Sequence, residues 1–190
     1  MYDAIEDPYC YPGTTVLRNL AGLRNQRALT RFETAMAAQR ADEPFPTGPL
    51  GVRHYRAIHR HLFQDVYAWA GRFRTVRISR DGSMFCYPEN IERETRVLFS
   101  RLRDDRYLRR LRTAQFIDRA THFLATLNAI HPFRDGNGRT QLAFLALVGA
   151  RAGHPFILTR LKPRAFLAAM VRSFHGDDRP LAAQLRALVD

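Results

Sequence analysis

His131-Pro132-Phe133-Arg134-Asp135-Gly136-Asn137-Gly138-Arg139 decides the reading of this 190-residue chain. A base, a hard-oxygen carboxylate, a Gly-Asn-Gly turn and a guanidinium stand together in one short stretch. Helical apolar spacing flanks it on both sides. Phe116, Ala120, Phe123, Leu127 and Ile130 precede it, and a strongly apolar run from Arg139 to Ala152 follows. The stretch is therefore predicted at a helix–turn–helix junction. The first turn of a helix exposes unpaired N–H groups at the positive end of the dipole, which favours anions.

The residue types fit chemistry on a phosphate. His131 ends a helix and can take a proton from an attacking hydroxyl. Asp135 suits a Mg²⁺ ion that bridges phosphate oxygens. Gly136 and Gly138 allow backbone conformations that aim N–H groups into one concavity. Asn137 is expected to add a side-chain amide donor, and Arg139 a guanidinium fork on a further phosphate. Phe133 reads as the apolar anchor of the loop. Singly, each residue reads as a helix stop, a turn or a surface charge. Together they predict phosphoryl or nucleotidyl transfer, which depends on positioning and charge neutralisation.

Outward from this centre the pattern is mostly helical. Thr14 or Thr15 is expected to cap a helix through Val16–Leu23, and a second helix covers Gln26–Arg40. Pro44, Pro46, Gly48, Pro49 and Gly51 mark a loop over 42–51. Ile58, Leu62, Val66 and Trp69 continue a helix from Val52 to Trp69, ending near Gly71. Thr75–Ser79 alternates, Asp81-Gly82 turns and Met84–Tyr87 returns, a short β-hairpin. Further helices are expected over Ile91–Leu102, Gln115–Ile130, Arg139–Ala152, 163–175 and 180–188. Arg106 to Arg112 reads as the solvated face of a helix. The expectation is an all-α fold, a single domain over 1–190 with its core at about 50–175.

Composition narrows the class. A hydrophobic share of 46% with 25% charged residues is that of a soluble globular protein. No apolar run approaches the ~20 residues of a membrane span. Residues 1–7 are acidic and lack an apolar stretch, so no signal peptide is read there. The chain is expected to be cytoplasmic, or a secreted effector delivered without an N-terminal mark. The net charge of +12 is almost wholly Arg, with Lys162 the one lysine, and it is spread along the chain. That reads as the codon usage of a GC-rich genome rather than a nucleic-acid interface. An acidic protein partner would suit the charge as well. Cys10 and Cys86 form neither a metal quartet nor a disulfide framework.

The stretch from His131 resembles the signature of the Fic family, H-x-F-x-(D/E)-G-N-G-R-x-x-R, and matches it through Arg139. Asp7-Pro8-Tyr9, Tyr11-Pro12-Gly13-Thr14 and Val16-Leu17-Arg18-Asn19-Leu20 look like the lead of bacterial Fic toxins and related Bartonella-type effectors. His59-x-x-Leu62-Phe63-x-Asp65-Val66-Tyr67-x-Trp69-Ala70-Gly71 is similar to the family's helix before its flap. The likeness covers about residues 7–175. It implies an all-helical Fic fold and transfer of AMP from ATP to a Tyr, Thr or Ser hydroxyl of a target protein. By position, His131 would be the base and Asp135 the Mg²⁺ ligand. Gly136, Asn137 and Gly138 would bind the α- and β-phosphates, with Arg139 assisting. The hairpin at 75–88 would be the flap that holds the target segment, with Ile78, Met84 and Phe85 clamping target or nucleotide.

Two departures matter. Leu142 stands where the signature, 131–142, ends in Arg. The chain then reads as a slower AMP transferase, an enzyme of a different nucleotide, or a nucleotide-binding protein with little catalysis; the first is favoured because every other motif position is intact. Arg134, Arg164 and Arg172 are candidates to replace the charge. The family's inhibitory pattern, (S/T)-x-x-x-E-(G/N), is absent, since no Ser or Thr is followed four residues later by Glu. A small antitoxin protein acting in trans is the expected partner, as in a toxin–antitoxin module, and without an Arg at 142 it would have to block the site sterically.

Overall fold

Apolar residues three and four apart bury one face of nearly every helix, and the helices meet on those faces. The computed structural model of the protein describes residues 7–80 and 82–189. In chain order it has α1 (Gln26–Ala41), α2 (Val52–Phe63), β1 (Ser79–Arg80), β2 (Ser83–Met84), α3 (Pro88–Asp104), α4 (Thr113–Ile130), α5 (Asn137–Ala152), α6 (Pro163–Phe174) and α7 (Arg179–Leu188). This is the expected all-helical architecture with one short hairpin. No described helix is long and apolar enough to cross a membrane.

The centre is α4, whose Phe116, Ile117, Ala120, Leu124 and Leu127 are completely buried. It packs against α3, α5, α6 and α7, while α2 packs on α5 and carries α1. Tyr55, Phe99, Phe123, Phe133 and Phe144 form a contiguous aromatic cluster where α2, α3, α4 and α5 meet. The end of α4 and the start of α5, joined by only six residues, are thereby held on a rigid base.

Four expectations are corrected. Residues 16–23 form no helix, because Asn19 binds the local backbone instead. Its amide donates to the carbonyls of Leu17 (3.0 Å) and Leu23 (2.7 Å), its oxygen accepts from Leu23 N–H (2.9 Å), and Gly22 turns left-handed at φ +66°. The second helix ends at Phe63, whose carbonyl receives the N–H groups of both Val66 and Tyr67. Val66 and Trp69 keep helical spacing but lie in turns, where Trp69 stacks on Tyr67 at 4.4 Å. Arg106, Tyr107 and Leu108 adopt φ of 54°, 56° and 61°, a left-handed turn that brings Leu108 into the core. The hairpin pairs only Ser79 with Met84 and Arg80 with Ser83, shorter than 75–88 suggested. Gly82 is left-handed at its tip, and Asp81 lies outside the described residues.

Candidate active site

His131 caps α4 in the left-handed conformation, φ 48° and ψ 60°, a position glycine usually takes. Its N–H still closes the helix on Leu127 O at 3.0 Å. Its Nδ1 lies 3.2 Å from the Asn128 carbonyl, which can only accept, so Nδ1 carries the proton and the ring lone pair falls on Nε2. The ring stacks on Phe85 at 4.0 Å. Burial pushes the His131 pKa down to about 3, and the Arg74 and Arg80 charges add to the effect against the Asn128 bond. The imidazole is therefore neutral at physiological pH.

Arg74 is a part of this site that the sequence reading missed. It is almost fully buried and donates to main-chain carbonyls of His131 (2.9 Å), Val76 (2.7 Å) and Cys86 (2.6 Å). Arg74 N–H adds a bond to Pro132 O at 2.9 Å. One guanidinium thus fastens both feet of the hairpin to the loop after α4. Nothing in the local pattern distinguishes it from the many exposed arginines.

The turn into α5 is built just as tightly. Gly136 has φ +77°, and a Cβ there would lie 2.4 Å from Phe63 Cε2. Asp135 Oδ1 accepts Gly136 N–H at 2.6 Å, and its carbonyl accepts from His59 Nε2 at 3.0 Å. His59 Nδ1 accepts Gly71 N–H at 2.9 Å, and the ring stacks 3.7 Å from Phe133. Asn137, expected to add an amide donor, turns part of its side chain onto the loop itself. The side chain is buried, with Oδ1 accepting Phe133 N–H (2.9 Å) and Nδ2 donating to Phe133 O (2.8 Å). These bonds hold the loop's shape, and the main-chain N–H groups of the first turn of α5, Gly138 included, are of the kind that can receive an anion.

Arg139 projects from the first turn of α5, with its guanidinium 4.6 Å over the Phe63 ring and ion-paired to Glu33 of α1. Asp135 is pushed above the usual carboxylate range by burial and then by the nearby Glu33 charge. Arg134 is not the spare cation sought, since it is buried against Asp7 at 2.6 Å. Arg172 is engaged by Asp177, also at 2.6 Å. Arg164 is exposed, away from the cavity lining.

A cavity of about 380 Å³ opens between His131 and the first turn of α5, with Asp135 off its lining. His131, Phe85 and Arg80 stand on its lining with Gly138, Arg139 and Leu142, and α6 supplies apolar residues such as Phe166, Met170 and Val171. The three hairpin candidates separate. Phe85 lies on the cavity against His131, Ile78 is buried at 1% exposure, and Met84 is 51% exposed and off the cavity lining. Arg80, which the sequence reading did not single out, is the hairpin's charged contribution.

The Fic/DOC family model matches residues 49–148, which run from the loop before α2 to within α5. The chain belongs to the Fic/DOC family. This Fic/DOC chain is 51% identical over 189 residues to the "Probable protein adenylyltransferase y4lH" of Sinorhizobium fredii, covering 99% of this chain and 98% of that one. It is 36% identical to the protein adenylyltransferase VbhT of Bartonella schoenbuchensis, covering 97% of this chain but 39% of VbhT. Among solved structures it resembles the N-terminal Fic domain of a VirB-translocated Bep effector from Bartonella quintana with bound ADP. That match has a TM-score of 0.84 at 27% identity, over 96% of this chain and 94% of the other.

Proposed function

We propose that this Fic/DOC chain is a protein adenylyltransferase that moves AMP from ATP to a Tyr, Thr or Ser hydroxyl of a target protein. The observation that carries the reading is a neutral His131, with its lone pair on Nε2, on the same cavity as the anion nest, Arg139 and the hairpin's Phe85. In this reaction the target hydroxyl gives its proton to His131 Nε2 while its oxygen bonds to the α-phosphorus. The bond to the bridging α–β oxygen breaks, and pyrophosphate leaves. The N–H groups opening α5 and the Arg139 guanidinium neutralise charge on the polyphosphate. The hairpin presents the acceptor segment, with Phe85 holding the imidazole face.

Mg²⁺ fits the residues present. Asp135 is a half-buried carboxylate whose pKa is raised by desolvation and by the Glu33 charge, a tension that a cation relieves. No group of three or more potential metal ligands occurs among the described residues, so phosphate oxygens and water would complete the shell. Bound there, the ion would offset polyphosphate charge. Names of relatives that include protein adenylyltransferase, and ADP in a similar domain, support the nucleotide and the reaction.

Leu142 on the cavity lining favours a second reading, an enzyme of another nucleotide or a silent nucleotide-binding module. A small antitoxin in trans, and service as a resident cytoplasmic toxin or a delivered effector, belong to the same proposal. Purified protein with Mg²⁺ and α-³²P-labelled ATP in a bacterial lysate tests it, beside His131→Ala. A labelled protein band that depends on His131 supports the adenylyltransferase. Nucleotide binding without any His131-dependent label supports the second reading.

A further inference from the structure

Glu33 lies on α1, outside the matched region and sixteen residues before it begins, yet its carboxylate reaches Arg139 at the start of α5. Its side chain is 12% exposed. One oxygen accepts the Tyr67 hydroxyl and the other accepts an Arg139 N–H. Burial and the Glu33 charge hold the Tyr67 phenol protonated, so it stays a donor. Arg139 therefore has two restraints, a carboxylate edge-on and the Phe63 ring beneath its plane. Its remaining guanidinium N–H groups make no hydrogen bond to the described residues, and the residue lines the cavity beside Gly138 and Leu142.

We propose that Glu33 is a positioning residue, braced by Tyr67, that aims Arg139 at the polyphosphate of a bound nucleotide. An unrestrained arginine on a helix surface loses rotamer freedom when it grips a phosphate, and a pre-held fork loses less. Glu33 also carries a negative charge, which opposes a phosphate. The opposition acts across the width of a guanidinium at a partly exposed site, where screening weakens it. Pre-positioning acts on every bound nucleotide at contact distance. With Leu142 in place of a second motif arginine, Arg139 is the α5 cation on the cavity, so its aim weighs heavily. The inference rests on the proposed nucleotide site but not on turnover.

The test is a double-mutant cycle in ATP affinity with Mg²⁺, read by calorimetry on the full chain. Glu33→Ala is expected to weaken ATP about tenfold, and Glu33→Gln, which keeps an acceptor, to restore affinity to within about threefold of native. In an Arg139→Ala background Glu33→Ala should change affinity less than twofold, because the brace has nothing to hold. Thermal unfolding of each variant establishes that it is folded at the assay temperature. A tenfold loss that persists without Arg139 overturns the proposal in favour of a general structural role. Tighter ATP binding in both Glu33 variants overturns it in favour of a restraining counter-charge. The α-³²P assay separates the two readings. Coupling between Glu33 and Arg139 with no label transfer leaves the brace standing and removes the transferase. His131-dependent label without coupling does the reverse, and no ATP binding by the native chain removes both.

Discussion

Replacing His131 with Asn, which tolerates the left-handed backbone and does not titrate, should flatten part of the stability–pH curve. His131 has an ordinary value of 6.5 and is held at about 3 in the fold by burial. Between those values the unfolded chain binds a proton that the folded chain does not. Stability therefore rises with pH through that window, is flat above it, and is lost as pH falls toward 3. Each unit is worth about 1.36 kcal/mol. From pH 7.5 to 5.0 only the part below 6.5 counts, so His131 alone should remove about 2 kcal/mol. Urea unfolding of the native protein and the variant at both pH values isolates this amount. Other titrating groups, His59 among them, contribute to both proteins and cancel in the difference. The native protein should lose about 2 kcal/mol more than the variant on acidification. Equal losses would refute the reasoning, because His131 would then be solvated and charged in acid like a surface imidazole.

Further outcomes follow from neighbouring residues. Asn137→Ala strands the buried N–H and C=O of Phe133, costing about 2–5 kcal/mol in urea unfolding, and a loss under about 1 kcal/mol would mean the loop holds its own shape. Gly136→Ala places a methyl 2.4 Å from Phe63 at φ +77°, so a melting temperature lowered by several degrees is expected, and an unchanged melt would contradict the close approach. Leu142→Arg adds a guanidinium at the cavity lining and should tighten ATP by roughly 10- to 150-fold in calorimetry. Unchanged affinity there would remove position 142 from the phosphate end of the site.

The long periodic helices were legible in the sequence because tertiary packing reinforces their own spacing. The first helix, α1, and the last two, α6 and α7, are where the pattern put them to within one residue at each boundary. Segments failed where one side chain overruled periodicity. Asn19 spends its amide on Leu17 and Leu23, and Phe63 ends its helix by gathering two N–H groups on one carbonyl. Around the candidate site, the motif brought His131, Asp135 and Arg139 forward because they lie together in the sequence. The braces were silent. Glu33, Arg74 and Arg80 belong to other segments, and each looks like an ordinary charged residue until the fold sets Glu33 on Arg139, Arg74 under the hairpin and Arg80 on the cavity lining. The loop-closing bonds of Asn137 were not legible either, because a polar side chain between glycines is as good at closing a loop as at binding an anion.

The buried pair of Asp7 and Arg134 also sets a timetable. The two are 127 residues apart, and each is desolvated against the other beside Cys10. Breaking such a pair by removing one partner costs about 3–5 kcal/mol. A ribosome delivers Asp7 long before Arg134, and closing so wide a loop is among the slower events of folding. The loop that carries His131 can settle in this form only after most of the chain has been made, because its Arg134 must meet an Asp7 that left the ribosome 127 residues earlier.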